Sequence, residues 1–199
     1  MSLEQQQHIE RAVRAIVEMP SPLRARIVQP TSEEIDALNA LRAAAVVPIL
    51  LAVLRAPEQP DQDSRAYKAL LSLEQFDRAA FLLDLFDSPP TPEWKAAICQ
   101  DMGDYPDPRI LARLTAIAQD DPDPDVRAFA LESLVDVAVR LGTDAPLKVL
   151  EELAENATGE GYEGRPIRRI AQWAIEQLRE RSAPRNALDQ EGEQSSAKE

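Results

Sequence analysis

The chain has 199 residues, 44% of them apolar but only 5% aromatic, and a net charge of −13. Ala and Leu supply most of the apolar content, which suits one folded domain of packed helices better than a β-sandwich built on β-branched and aromatic residues. Such a charge repels phosphate backbones and anionic lipid surfaces, so no nucleic-acid or membrane partner is expected; a basic protein partner is permitted, and acidity by itself also serves solubility.

Sixteen prolines punctuate the chain, and proline stops helix interiors while suiting a first turn. Residues 3–18 set Ile9, Val13, Ile16 and Val17 on one helical face, and "SLEQ" at 2–5 has the form of a capping box. This start lacks the apolar run of a signal peptide. "PSPLRARIVQP" (20–30) reads as an extended connector. "TSEEIDALNALRAAA" restarts a helix, with Thr31 and Glu34 as a second capping box and Ile35, Leu38 and Leu41 on one face. "AAAVVPILLAVL" is shorter than the roughly 20 apolar residues of a membrane span and contains Pro48. From residue 47 onward, helices of about 10–18 residues alternate with short turns, and no strand-like alternation bounded by hairpin signals is found. The polar stretch from 183 has no apolar period and reads as a disordered tail. Cys99, the only cysteine, permits no internal disulfide. A soluble cytoplasmic protein is the expectation.

Four helical stretches align: "DSRAYKALLSL" (63–73), "EWKAAICQDMG" (93–103), "DVRAFALESLV" (125–135) and "PIRRIAQWAIE" (166–176). A variable residue stands first at 64, 94, 126 and 167, then a cation: Arg65, Lys95, Arg127, Arg168. The last three copies continue with Ile98, Ala130 and Ala171, then Met102, Leu134 and Ile175; an acid precedes the motif at Asp63, Glu93 and Asp125. The spacings of 30, 32 and 41 residues are those of a helical solenoid.

This pattern resembles the HEAT-repeat family, including its short bacterial form of the phycobilisome-lyase type. "DPRILARLTAIAQDDPDPDVRAFALESL" is the closest copy, "VVPILLAVLRAPEQPDQDSRAYKALLSL" a fair one, and 75–103 and 144–182 are degenerate. The resemblance implies an all-α fold: a right-handed α-α superhelix of about four helix pairs over 45–182, with 1–44 as an N-terminal helical cap and 183–199 as the tail. It also implies a stacked ladder of acids and cations between repeats, for which Asp63, Arg65, Lys95, Asp125, Arg127 and Arg168 are the candidates. Pro166 stands where the fourth acid belongs, so the ladder is expected to end there.

"DDPDPDVRAFALESL" (120–134) also invites a calcium reading. From Asp121, acids fall at positions 1, 3 and 5, with Glu132 at position 12, the spacing of an EF-hand loop. Position 6 is Val126 rather than the required Gly, Pro122 and Pro124 stiffen the loop, and Glu132 lies two turns into a helix, so helix capping is the expected role and no metal is expected. His8 is the only histidine, which disfavours His-based triads and zinc sites; Cys99 falls at a core register; no phosphate-binding glycine motif is present. No cofactor is expected.

"ENATGEGYEGRP" (155–166) lengthens the turn of the fourth repeat. It is either a flexible, tolerated insertion or a binding loop with Tyr162 as its anchor. In the family the second helices line the concave face. Its exposed stripe here should include Gln100, Glu132, Val135, Trp173 and Glu176, with Asp136 a further available acid. Trp173 is either a contact anchor or packing at the solenoid's end. A non-catalytic binding module follows from the solenoid's concave face and the missing chemistry; the acidity makes a basic protein the expected partner, and the chain is expected to be monomeric when free. An immunity-type inhibitor of a basic toxin is a sharper version; a phycobilin-lyase-like enzyme rests on the resemblance alone.

Overall fold

The computed structural model describes residues 3–17, 31–41, 43–57 and 62–182. The 20–30 connector, Ser2 of the 2–5 capping box and the tail from 183 lie outside the described residues. Ten α-helices carry the described fold, and the chain forms two compact units, Met1–Arg78 and Ala79–Glu199.

In the first unit, α1 (Leu3–Val17) packs on α3 (Ala43–Arg55) and α4 (Gln62–Ser72), and α2 (Ser32–Asn39) packs on α3. The second capping box is formed: the Thr31 side chain accepts from the Glu34 amide at 3.3 Å, and the Glu34 carboxylate accepts from the Thr31 amide at 2.6 Å. Val13, Ile16 and Val17 of the expected α1 face are buried and Ile9 half-buried, together with Leu38 of α2. Val46, Leu50 and Leu54 recur every four residues along α3 and are fully buried, as are Ala66, Ala69 and Leu70 of α4. Pro48 corrects the reading of proline as a stop, because α3 runs through it with its ring on the exposed side.

The second unit holds three successive helix pairs: α5 (Arg78–Asp87) and α6 (Trp94–Met102), α7 (Pro108–Asp120) and α8 (Pro124–Leu141), α9 (Leu147–Asn156) and α10 (Ile167–Ser182). The second helices form one layer, α6 on α8 and α8 on α10, while α7 packs on α9 in the other. This is a helical-repeat solenoid. Each repeat's apolar stripe closes against its neighbours. On α7 the stripe is Ile110, Leu114, Ile117 and Ala118. On α8, which touches α6, α7 and α10, it spreads to almost every side. Phe86 of α5 is 3% exposed, with Lys95 Nζ of α6 4.9 Å and Arg113 Cζ of α7 5.3 Å from its ring centroid, two cation–π contacts.

Asp–Pro steps start α7 and α8. Asp107 accepts from the Arg109 amide at 2.8 Å and Asp123 from the Asp125 amide at 2.9 Å, with Pro108 and Pro124 next in line. Gly142 ends α8 in the left-handed conformation at φ 65°. Between α9 and α10 the long turn is a two-residue hairpin, Glu160–Gly161 antiparallel to Arg165–Pro166, joined by a 3-10 turn over Tyr162–Gly164.

Candidate protein-binding face

Residues that precede proline are pushed to extended backbone, and this sorts the aspartates of 120–125. Asp121 is extended at φ −64°, ψ 131° and 9% exposed. Its carboxylate accepts from Lys95 Nζ at 3.2 Å and from the Asp123 amide at 3.0 Å. Asp123 caps α8, and Asp125 is exposed in the first turn. Glu132 is bound elsewhere, as described below. The stretch is therefore a turn whose acids serve a rung, a cap and a helix end. Among the described residues no group of three or more His, Cys, Asp or Glu is placed to hold a metal ion.

The ladder needs correcting in its members. Lys95 reaches forward to Asp121, not to Asp125. Arg127 donates Nη1 to the Asp121 carbonyl at 2.8 Å and Nη2 to the Thr158 carbonyl at 3.1 Å, so it joins its own turn to the next. Arg65, 5% exposed, binds within the first unit: to the Ile16 carbonyl through Nε at 3.1 Å and Nη2 at 2.5 Å, and to Glu34 at 3.1 Å. Asp63 accepts from the Ser64 amide at 2.7 Å, a local cap, and Arg168 is exposed on α10. Arg127→Ala is expected to cost about 1–2 kcal/mol, because two carbonyls lose a charged donor. Arg179→Ala, which removes a pair to Glu151 with both side chains more than half exposed, is expected to cost under about 1 kcal/mol. Urea titrations of the two variants compare them directly.

A second set of rungs was missed at the sequence level. Arg140 of α8 binds Asp104, donating to its carbonyl at 2.8 Å, and Arg181 of α10 binds Asp136 at 2.8 Å. Asp104 and Asp136 lie 32 residues apart, Arg140 and Arg181 lie 41 apart, and these are the repeat spacings themselves. The same offset between acids and then between cations was the available signal.

On the second-helix layer, Gln100 and Glu176 are exposed and Trp173 is 41% exposed. Val135 is 1% exposed, so it does not belong to an exposed stripe; α8 is covered on that side too. Asp136 is engaged by Arg181. Glu132 is not an available acid: it accepts from Tyr162 Oη at 2.5 Å and from Arg165 Nη2 at 2.7 Å. Tyr162 lies flat on Phe129 of α8, with centroids 4.6 Å apart and planes 14° from parallel, and the Arg165 guanidinium lies over the tyrosine ring, 4.5 Å from its centroid. Arg165 also contacts the Tyr162 hydroxyl. Burial first, then the hydrogen bond to Glu132, pushes the Tyr162 phenol up to about 12. The 155–166 insertion is thus neither a slack loop nor a freely presented Tyr162; the hairpin is docked on α8.

Cys99 is fully buried, and burial, then the Asp121 charge, pushes its thiol up to about 12. The folded thiol is therefore a poor nucleophile. A thiol reagent at pH 8 is expected to label Cys99 only after denaturant is added. The unfolded thiol releases its proton near pH 9 while the folded one keeps it, so this group's contribution to stability is whole below pH 9 and lost as pH rises toward 12. His8, the only histidine, is exposed on α1.

Residues 79–176 match the family model for HEAT repeats. No curated protein and no solved structure matches the chain.

Proposed function

Over residues 79–176 the chain belongs to the HEAT-repeat family, and from that premise we propose that it is a non-catalytic module holding a basic protein on the layer of α6, α8 and α10. One observation carries the reading. Trp173 is the exposed large apolar side chain among the described residues, it shares a repeat register with exposed Gln100, and exposed Glu176 lies one turn along α10. An aromatic anchor beside polar neighbours is the composition of a contact hot spot.

Charge supports the partner's sign. Residues 79–182 hold twenty Asp and Glu against eleven Lys and Arg. Lys95, Arg127, Arg140, Arg165 and Arg181 are engaged inside the repeats, whereas Asp120, Asp125, Glu155, Glu160 and Glu163 are exposed. The outward field is negative, which speeds the approach of a cationic surface. Capture from native lysate by the tagged protein, followed by mass spectrometry, is expected to return a protein of high isoelectric point that is released by salt. Recovery of an acidic partner, or one retained equally by Trp173→Ala, contradicts the reading.

A further inference from the structure

The hairpin between α9 and α10 occupies the layer where the proposed partner would sit. Glu132 holds the same register of α8 that Gln100 holds on α6 and Trp173 on α10. Those two are exposed; Glu132 is covered by Tyr162 and Arg165. The covering contacts have the chemistry of a basic ligand: a guanidinium on the carboxylate, a phenol donating to the same oxygen, and a tyrosine ring stacked on Phe129. The rest of the hairpin is shaped for this approach. A Cβ on Gly161 would lie 2.7 Å from that of Ala128, so glycine lets the strand lie against α8. Its bends use left-handed backbone at Gly159, Glu163 and Gly164. Its base is held by the Arg127 bond to the Thr158 carbonyl and by the Ile167 amide on the Gly159 carbonyl at 3.1 Å.

We infer that the Phe129–Glu132 surface of α8 is a recognition platform for a partner segment carrying Arg beside Tyr, and that the 159–166 hairpin is its occupant in cis, which such a segment must displace. This rests on the reading of the second-helix layer as the binding face. It deepens that reading by naming the partner's contacting groups and a built-in competitor. The ion pair in this docking is half-exposed: Arg165 is 42% and Glu132 28% exposed at the side chain. Water therefore reaches the ion pair and weakens it, and the hairpin opens without unfolding the repeats.

The test uses the full chain and a fluorescent synthetic peptide alternating Arg and Tyr between glycine spacers. Tyr162→Ala/Arg165→Ala, which removes the occupant, is expected to bind the peptide at least about tenfold more tightly than the wild type; adding Glu132→Ala to that double variant is expected to abolish the gain. Equal binding by the wild type and the double variant, or a gain that survives Glu132→Ala, overturns the inference. Hydrogen exchange on the wild type guards against variants that merely misfold. The Ile167 amide is expected to exchange at least about a hundredfold faster than the central amides of α8, and exchange at one common rate overturns it. The two readings fail separately: a captured partner that responds to Trp173→Ala while the peptide shows no gain leaves the binding face standing and removes only the platform and its occupant.

Discussion

Arg65→Ala is expected to lower the unfolding free energy by about 3–5 kcal/mol, among the largest effects of any single truncation of a polar side chain here. Arg65 is 5% exposed and Glu34 9% exposed. The guanidinium satisfies the Ile16 carbonyl, one of the open carbonyls at the end of α1, and neutralises a carboxylate whose other oxygen already accepts from the Thr31 amide. Truncation leaves a buried charge and a buried carbonyl without their donor, and breaks the tie between α1, α2 and α4. The pair itself need not be strongly stabilising, since desolvating two charges offsets much of their attraction. The double variant Arg65→Met/Glu34→Met is therefore expected to recover part of the loss. Equilibrium urea denaturation of wild type, single and double variants measures all three. A single variant within about 0.5 kcal/mol of wild type would show that the buried rung does not hold the first unit together.

Gly161→Ala is expected to cost about 1–3 kcal/mol, a large effect for one methyl group. The added carbon would meet Ala128 Cβ at 2.7 Å, the Pro124 carbonyl at 3.3 Å and Ile167 Cδ1 at 3.4 Å. The first two cannot swing aside: one is a methyl fixed to the α8 backbone, the other is backbone. Gly161 has φ −83°, so no conformational penalty is involved and the effect is steric alone. The hairpin must lift from α8, and the Tyr162–Phe129 stack and the Glu132 contacts loosen with it. Gly142→Ala is a useful contrast, since nothing lies within 4 Å of its added carbon but its φ of 65° penalises any side chain. Chemical denaturation reads the size of the loss; the near-ultraviolet signal of Tyr162 reports whether Gly161→Ala also frees the ring.

Local chemistry was legible in the residues, and long-range chemistry was not. The Asp–Pro turns, the Thr31–Glu34 box and the apolar period of α7 depend on residues within one or two turns of each other, so spacing alone placed them. The HEAT match over 79–176 covers the last three of the four aligned copies; the first, at 63–73, lies outside it. Burial and pairing across the repeats are set by neighbouring helices, which the residues of one helix do not show. Val135 looks outward on an isolated helix, but α8 is enclosed by α6, α7, α10 and the hairpin. Glu132 looked available because its partners stand 30 and 33 residues further along. Asp125 precedes the repeat cation, the position where the rung acid is expected. Pro122 and Pro124 instead fix the backbone so that Asp121 turns inward.

In the proposed function the layer of α6, α8 and α10 binds a basic protein through charge at a distance and Trp173 at contact. Surface plasmon resonance of the captured partner against wild type, Glu176→Lys and Trp173→Ala, at several salt concentrations, tests it most directly. Charge acts on encounter and desolvated contact on escape. Glu176→Lys is expected to slow association and flatten its salt dependence with dissociation little changed, while Trp173→Ala speeds dissociation about thirtyfold, the effect of losing a hot spot of about 2 kcal/mol. Rates unchanged in both variants would contradict the account and place the binding surface elsewhere on the chain.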